Sequence, residues 1–497
     1  MISVVGHEVD EEEDMDAIGH DCARGVCLAL ALACLSPASA ADPGAPAAIS
    51  GWCEKATGFE AARGQAIAKL VGELDSLASW CAKMRLFGCR DVALEAILHF
   101  EPDDKALRRK LKYQKRKGEW VRNRSYRIPR NLGREHMADH DVRVAKITRD
   151  YISALDGFVG DSEAVADIVW SDVIAIDPDN PVARAARGEA LHPGDGRWVL
   201  EETVRSLERR SELEDTAKRL LAELPRPEEV QLDPDERALG VRWTAALTTE
   251  DVRVLGTCSK RELEACARNA QAAILLFGEA CDTGVGIGIP RFTVYVMESG
   301  ADARKLRATH PRLRGRACAA NAACTWLGLF DLVVWPTTPE RRLDRIVRQT
   351  IGLMLVNHYP GSQSQSWTIE GESHVLATFL RGDRAFQPMF STNVDAAVIR
   401  RPGEIAERWR SIYGHTGIEE LLELPAGQLD RDARERAAVL VRYMIESRPE
   451  QWDRVLGELG VVESSMGELF EEVLAMKLPR LEQRVLRWLD ESPRTEP

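Results

Sequence analysis

Acid and imidazole side chains in the second half of the chain have a spacing that could serve metal chemistry. Glu370 and His374 are four residues apart in WTIEGESHVL, so on a helix they would share one face. His358 closes the apolar run before them. One carboxylate and two imidazoles could bind zinc and leave a position open for water. We keep this metal site as the alternative, because a buried polar histidine and a carboxylate bonded to nearby backbone are the more frequent roles.

The segment before Glu370 and His374 predicts a helix that would position His358 at its end. Thr338 offers an N-cap oxygen, and Pro339 fits the first helical position. Apolar residues then recur with the period of a helix until His358, just before Pro360. They are Leu343, Ile346, Val347, Ile351, Met354 and Leu355. The pattern predicts one helix from Pro339 to about His358.

Apolar strands precede this helix. RFTVYVME, residues 291–298, alternates its side chains between two faces, as a strand does. GVRWTAAL and WLGLFDLVVWP are two further predicted strands, and a helix is predicted at about residues 259–277. The glycines of CDTGVGIGIP precede a strand and do not open a helix, which argues against a dinucleotide or phosphate loop.

The order of strand, strand, helix and then WTIEGESHVLATFL resembles the gluzincin metallopeptidases, in particular the exported peptidase-MA-like group. In that family the helix carries His-Glu-x-x-His, often with glycine before the second histidine. A Trp-x-x-Glu-Gly motif on the next helix supplies the third zinc ligand. Trp367, Glu370 and Gly371 match the second motif, and Gly352 fits the glycine of the first. The resemblance covers roughly residues 235–497 and implies a small sheet with a helical C-terminal subdomain.

The zinc-binding residues of that family are replaced in this chain. Aligning on Gly352 puts Gln349, Thr350 and Leu353 where the family has His, Glu and His. Glutamine is a poor zinc ligand, leucine cannot coordinate, and threonine cannot act as the carboxylate base for a zinc-bound water. Glu370 alone would bind zinc weakly. The resemblance therefore implies no catalytic residue and no cofactor, with zinc expected only at the relocated alternative site.

The same resemblance implies a cleft in this half of the chain. Trp367, Gly371 and His374 would line it. Tyr413 and His415 belong to SIYGHTG, for which a surface turn is the favoured interpretation. The segments from about residue 418 to 489 are amphipathic, and helices of this kind form the lower wall of the cleft in the family.

The first half contains an internal repeat. EPDDKALRRKLKYQKRKGEWV, residues 101–121, and DPDNPVARAARGEALHPGDGRWV, residues 177–199, share three features. Each starts with an acid-Pro-Asp turn, has an arginine six residues after the proline and ends in Gly-x-Trp-Val. The pattern predicts helix, turn, helix and a glycine turn that docks the tryptophan. It resembles tetratricopeptide hairpins, although the spacing is too long for a regular array, and a plain helical bundle and a peptide-binding groove are equally expected.

Two polar patterns in this half are better explained without function. Residues 105–130 form a basic run with interleaved aromatic residues, which favours a solvated helix face over nucleic-acid binding. His136 and His140 are four apart, but Met137 stands where a metalloprotease has its glutamate and no third ligand is assignable. We expect both to be surface histidines.

The N-terminus resembles an export signal. VCLALALACL, residues 26–35, is an apolar run too short to span a bilayer, and small residues lead to Ala41. Removing residues 1–40 leaves an even number of cysteines, which permits disulfides without indicating their pairing. They are Cys53, Cys81, Cys89, Cys258, Cys266, Cys281, Cys318 and Cys324. Localisation is expected to be periplasmic or extracellular.

These observations predict an exported α+β protein with two domains. Residues 52–224 form an N-terminal α-helical, tetratricopeptide-like region, and PRPEEVQLDPDE, residues 225–236, reads as a linker. Residues 235–497 form the gluzincin-like domain. The net charge of minus 13 disfavours nucleic acid as a partner, and no transmembrane helix is expected in the mature chain.

The expected role is that of an inactive metallopeptidase-like protein that binds a peptide or protein partner. The strand at residues 291–298 would offer its edge to an extended peptide. A zinc metallopeptidase with a relocated site is one alternative, and a purely structural partner of the helical region is the other.

Overall fold

A computed structural model describes most of the chain. The described residues are 47–116, 119–123, 125–160, 162–281, 291–314, 324–326, 331–382, 385–386, 397–398, 402–414, 416–424, 428–460 and 465–492. The fold is mostly helical with small sheets, as the α+β expectation requires. The predicted signal segment, Cys318 and His415 lie outside the described residues. None of the helices in the described part combines the length and apolar character needed to cross a bilayer.

The chain divides into two compact units, of which the first ends at Pro178 and the second begins at Asp179. The helices of the first unit are α1 (Ala47–Lys83), α2 (Phe87–Phe100), α3 (Lys105–Lys110), α4 (Met137–Val159) and α5 (Glu163–Ile176). Its strands β1 (Tyr113–Arg116) and β2 (Glu119–Arg122) form an antiparallel hairpin. Helix α1 packs against α2 and α4, and α5 packs against α2 and α4.

One buried carboxylate joins four helices of the first unit. Asp172 on α5 accepts hydrogen bonds from Arg63 on α1 at 2.8 and 3.0 Å and from the Tyr151 hydroxyl on α4 at 2.5 Å. His99 Nε2 on α2 lies 3.2 Å from the same carboxylate. The pKa of Asp172 is lowered because these hydrogen bonds outweigh the opposing effect of burial. The network therefore stabilises the ionised acid and the helix packing together.

The second unit opens with α6 (Pro181–Ala186), β3 (Glu189–Leu191), β4 (Trp198–Leu200), α7 (Glu201–Glu223), β5 (Glu228–Glu229) and α8 (Pro234–Ala238). Next come β6 (Ala245–Thr248), β7 (Val252–Gly256), α9 (Lys260–Ala280), β8 (Phe292–Val296), α10 (Gly300–Thr309), β9 (Cys324–Trp326) and β10 (Asp331–Val334). The site region contains α11 (Pro339–His358), α12 (Ser366–Arg381), β11 (Ala385–Phe386) and β12 (Ala397–Val398). The unit closes with α13 (Pro402–Tyr413), α14 (Gly417–Leu422), α15 (Arg431–Ser447), α16 (Pro449–Glu458), α17 (Met466–Leu474) and α18 (Leu478–Glu491).

A six-stranded mixed sheet organises the second unit, in the order β5-β6-β7-β8-β10-β9. Strands β7, β8 and β10 are parallel, whereas β5, β6 and β9 join by antiparallel pairing. Val294 and Val296 face the large core built with the helices, while Tyr295 and Met297 face a smaller core with α10. The alternation predicted for residues 291–298 is therefore confirmed.

Three sequence-based expectations differ from the structure. Strand β8 lies inside the sheet with β7 and β10 as neighbours, so residues 291–298 offer no free edge. The expected linker at 225–236 contains β5 and α8, and α7 packs with α9 and α15 of the second unit. The basic run at 105–130 is a short helix, a hairpin and a loop, and not one helix face. Periodicity missed the β1–β2 hairpin because a short, polar strand pair carries little apolar signal.

The two repeat segments share a defined local structure. In both copies a helix, α2 or α5, is followed by a short capped helix, α3 or α6, and a two-stranded hairpin. Arg108 lies over the ring of Trp120 at 5.6 Å, and Arg184 lies over Trp198 at 5.5 Å. The arginine and tryptophan that the two segments share are therefore packing partners in each copy.

Candidate functional site

The helix predicted from Pro339 is α11, and its start has the expected cap. Thr338 Oγ1 accepts a hydrogen bond from the Arg341 amide at 3.4 Å, and Pro339 lies in the first turn. The helix ends at His358, as predicted. It packs against α9 on the sheet side and against α12. Helices α11 and α12 thus hold all the residues that the family resemblance singled out.

Helix α12 crosses α15 at a glycine. A Cβ atom added to Gly371 would lie 2.7 Å from Val441 Cγ2 and 2.9 Å from the Ala437 carbonyl oxygen, which is too close. The glycine after Glu370 therefore has a packing reason, since it lets two helices approach. Trp367 is fully buried beside Trp452 and Phe470, with ring centres 6.1 and 6.0 Å away. Both residues belong to the packed interior of the second unit.

The four family positions also lie in the interior. Gln349, Thr350 and Leu353 on α11 and Glu370 on α12 are all buried. Gln349 and Leu353 are separated by one helical turn, so they lie on the same side of α11. The pattern that marked them was therefore a pattern of buried positions on two packed helices.

Arg348 makes a buried polar contact between these two helices. Its Nε lies 3.0 Å from both carboxylate oxygens of Asp344, one turn earlier on α11. Its Nη1 donates to Nδ1 of His374 on α12 at 2.7 Å. All three side chains are buried. Sequence reasoning missed Arg348 and Asp344, although a charged pair four residues apart inside an apolar helical pattern is an available signal.

Histidine 374 is held as a neutral imidazole. Burial lowers its pKa well below 6.5, and the nearby Arg348 and Arg442 guanidinium groups lower it further. Because Nδ1 accepts a hydrogen bond from Arg348, the ring proton belongs on Nε2. The Nε2–H of this neutral imidazole can donate a hydrogen bond, but Nε2 cannot coordinate a metal while it carries that proton.

The alternative metal set is not assembled. His358 is exposed at the end of α11, where its ring meets Phe277 and Tyr359 at 6.4 and 4.8 Å. Glu370 and His374 are buried. Across the part of the chain that the structure describes, no three His, Cys, Asp or Glu side chains lie close enough to hold a metal ion. His136 and His140 also belong to no such group of three. His136 lies beside Glu135, and His140 lies beside Asp141.

A second buried carboxyl group escaped the sequence reasoning. Glu372 is fully buried and accepts hydrogen bonds from Cys281 Sγ at 2.9 Å and from Trp452 Nε1 at 3.0 Å. Burial raises its pKa to about 7, and the charge of Asp453 adds to the effect. Asp453 in turn accepts a hydrogen bond from the Tyr359 hydroxyl. Glu372 is two residues after Glu370, so the two side chains lie on different faces of α12. The sequence therefore gave no reason to select Glu372.

The cysteines of the described core are thiols. Cys81, Cys89, Cys258, Cys266 and Cys281 are free and buried. Burial is the main cause that raises the pKa of each thiol, so none is activated as a nucleophile.

Comparison with protein-family models, with curated proteins and with solved structures found no match to this chain.

Proposed function

We propose that this is an exported, catalytically inactive metallopeptidase-like protein that binds a peptide or another protein. Under this proposal the gluzincin-like part keeps the helix pair of a peptidase and lacks its metal. The first unit would act as a tetratricopeptide-like scaffold, for which the packing of α1 with α2 and of α4 with α5 is the support.

The observation that carries the proposal is the contact of Arg348 with His374. Arg348 directly precedes Gln349, the first family position, and its guanidinium reaches across to α12 at 2.7 Å. A guanidinium group in a protein cannot lose its proton, so it remains a buried positive charge. Two like charges repel strongly where water is excluded. The ion pair with Asp344 offsets part of this charge, and what remains, together with the missing ligands at Gln349 and Leu353, disfavours zinc in this helix pair.

Peptide binding under the proposal uses another strand than the sequence suggested. Strand β9 stands at the end of the six-stranded sheet, paired with β10. An extended peptide can add to the free side of such a strand through backbone hydrogen bonds, which need no metal. We therefore move the binding edge from residues 291–298 to Cys324–Trp326.

Metal content tests the loss of catalysis. The purified chain is expected to contain no stoichiometric zinc and to cleave no peptide in a mixed library. The triple variant Gln349→His, Thr350→Glu and Leu353→His restores the family ligands, and adding Arg348→Met removes the opposing charge. We expect zinc binding to rise in the triple variant and to approach one ion per chain in the quadruple variant, as measured by mass spectrometry of the metal.

The control is Gln349→Asn with Leu353→Met, which changes the same helix positions without adding ligands. Circular dichroism shows whether each variant keeps its helices. Tightly bound zinc at one ion per chain in the unaltered protein would contradict the proposal and favour the relocated-site peptidase. A folded quadruple variant without zinc would contradict the gluzincin-like geometry.

Peptide capture tests the binding role. The immobilised chain is exposed to a mixed peptide library, and retained peptides are identified by mass spectrometry. Cys324→Pro removes an outward-facing backbone N–H of β9 and should lower retention, whereas Cys324→Val keeps that N–H. Equal retention by both variants would exclude β9 as the edge, and no retention by the unaltered chain would favour the purely structural role.

A further inference from the structure

A strongly basic surface lies on the first unit. We define it as the described residues between 105 and 134, which contain eleven Lys and Arg residues and one acid, Glu119. Their net charge is therefore plus 10, in a chain whose net charge is minus 13. The described residues of this basic surface form α3, the β1–β2 hairpin and the loop that leads to α4. Positive charge is concentrated here against the balance of the whole protein.

The aromatic rings of the basic surface are covered by arginines of the same surface. Arg108 lies over the rings of Tyr113 and Trp120 at 5.7 and 5.6 Å. Arg122 lies over Tyr113 and Tyr126 at 5.9 and 5.0 Å. These guanidinium groups occupy aromatic faces on which the bases of a single-stranded nucleic acid would stack. The aromatic residues are thus packing elements of this surface.

The acids next to the basic surface are also engaged. Glu95 on α2 pairs with Arg122 at 3.0 Å. Asp91 pairs with Arg90 and accepts a hydrogen bond from the Tyr126 hydroxyl. The outer cations have no ion pair with any carboxylate in the described part of the chain. They are Arg109, Lys110, Lys112, Lys115, Arg116, Arg130 and Arg134, and all are exposed.

Large apolar side chains stand exposed among these cations. Val121, Ile128 and Leu132 have 39%, 56% and 57% of their surface open to solvent. The backbone of Leu132 is fixed by a hydrogen bond from its amide to the Arg85 carbonyl at 2.9 Å. Three of the seven exposed large hydrophobic residues in the described part of the chain therefore belong to this basic surface.

We propose that the basic surface binds the anionic face of a phospholipid bilayer. Unpaired lysines and arginines attract acidic headgroups, and exposed aliphatic side chains enter the boundary between headgroups and acyl chains. The two features together fit a lipid surface better than nucleic acid, whose stacking positions are already filled. The inference is independent of the peptide-binding role, because it concerns the first unit alone.

Vesicle co-sedimentation of the full chain tests the proposal. The probes are vesicles of phosphatidylcholine alone and of phosphatidylcholine with phosphatidylglycerol in equal parts. We expect binding to the anionic vesicles that weakens as salt is raised, because exposed charges are screened. Lys115→Glu with Arg116→Glu should lower this binding by about tenfold or more, since each basic residue near an anionic surface contributes roughly fivefold.

The matched control is Arg304→Glu with Lys305→Glu, the same charge change at two exposed residues of α10. It should bind anionic vesicles like the unaltered chain. Ile128→Ser with Leu132→Ser should reduce the binding that survives at high salt. Any contribution from the apolar N-terminal segment is the same in all variants and persists on phosphatidylcholine alone.

Two outcomes would overturn the proposal. One is anionic-vesicle binding by the Lys115→Glu, Arg116→Glu variant that equals that of the unaltered, folded chain. The other is binding to a single-stranded oligonucleotide in the absence of binding to anionic vesicles, which would assign the surface to nucleic acid.

Discussion

The two copies of the repeat, residues 101–121 and 177–199, have the same local structure and different surroundings. In each, a side chain two residues after the proline caps the short helix: Asp104 accepts from the Ala106 and Leu107 amides, and Asn180 accepts from the Ala183 amide. In each, the arginine six residues after the proline covers the tryptophan of the hairpin. These shared contacts are all between residues close in sequence.

The copies differ where the hairpin meets the rest of its unit. Val121 of the first copy is exposed, whereas the matching Val199 is 2% exposed. Tyr113 in the first copy lies under Arg108, whereas Glu189 at the matching position is buried between Arg184 and Arg487. Helix α18 supplies Arg487 and therefore fixes the second hairpin. The comparison teaches that a local motif can be surface or core, depending on what a distant helix brings.

The largest effect is expected at the shared arginine. Arg184→Met leaves the buried Glu189 with one partner fewer, and we expect a loss of about 2–3 kcal/mol in the free energy of unfolding. Arg108→Met removes partly exposed contacts with aromatic rings and an exposed hydrogen bond to the Pro102 carbonyl, and should cost about 1 kcal/mol. Urea unfolding followed by circular dichroism measures both. Equal losses would mean that the two copies are held in the same way.

The final valine gives the next largest difference. Val199→Ala opens space in a packed hairpin and should destabilise the second unit by about 2 kcal/mol. Val121→Ala acts at an exposed position and should change stability by less than about 0.5 kcal/mol. Limited proteolysis in urea separates the unfolding of the two units. A loss at Val121 as large as that at Val199 would contradict the surface position of the first hairpin.

The caps sharpen the comparison by predicting equality. Asp104→Ala and Asn180→Ala each remove an N-cap acceptor, and each should cost about 1 kcal/mol. Hydrogen exchange of the peptides that contain α3 and α6 reports the loss locally. Substitution by serine, which also caps, serves as the control for each. A large difference between the two alanine variants would show that the caps depend on their surroundings.

The smallest expected effects concern how the stability of each copy depends on pH. The arginine partners lower the pKa of Glu189, so its contribution to stability is complete above the unfolded pKa and is lost as pH falls through the folded value. Burial raises the pKa of Tyr113, so its contribution is complete below pH 10 and is lost as pH rises through the folded value. Glu189→Gln should flatten the acid side of the stability profile, and Tyr113→Phe should change the alkaline side by a few tenths of a kcal/mol after screening. Effects on the opposite sides would refute these assignments.

The site region shows how far pattern reasoning reaches. The capped helix at Pro339, its end at His358 and the amphipathic helices of the C-terminal part agree with the structure, since each depends on local periodicity and capping. Arg348, Asp344 and Glu372 were missed because a charged residue inside a helical pattern is read as exposed. Their burial depends on α12, α16 and α9, which are distant in sequence.

The sequence by itself determined the elements whose signals are short in range: capped helices, the alternating strand at Phe292–Val296 and the apolar helix before each repeat copy. The tertiary structure alone decided which of them are buried, because burial depends on contacts between distant segments. It placed β8 inside the sheet, joined Arg348 to His374 across two helices and made Val199 core while Val121 stayed at the surface. Local propensity cannot encode these outcomes, because the same Gly-x-Trp-Val sequence has a buried valine in one copy and an exposed valine in the other.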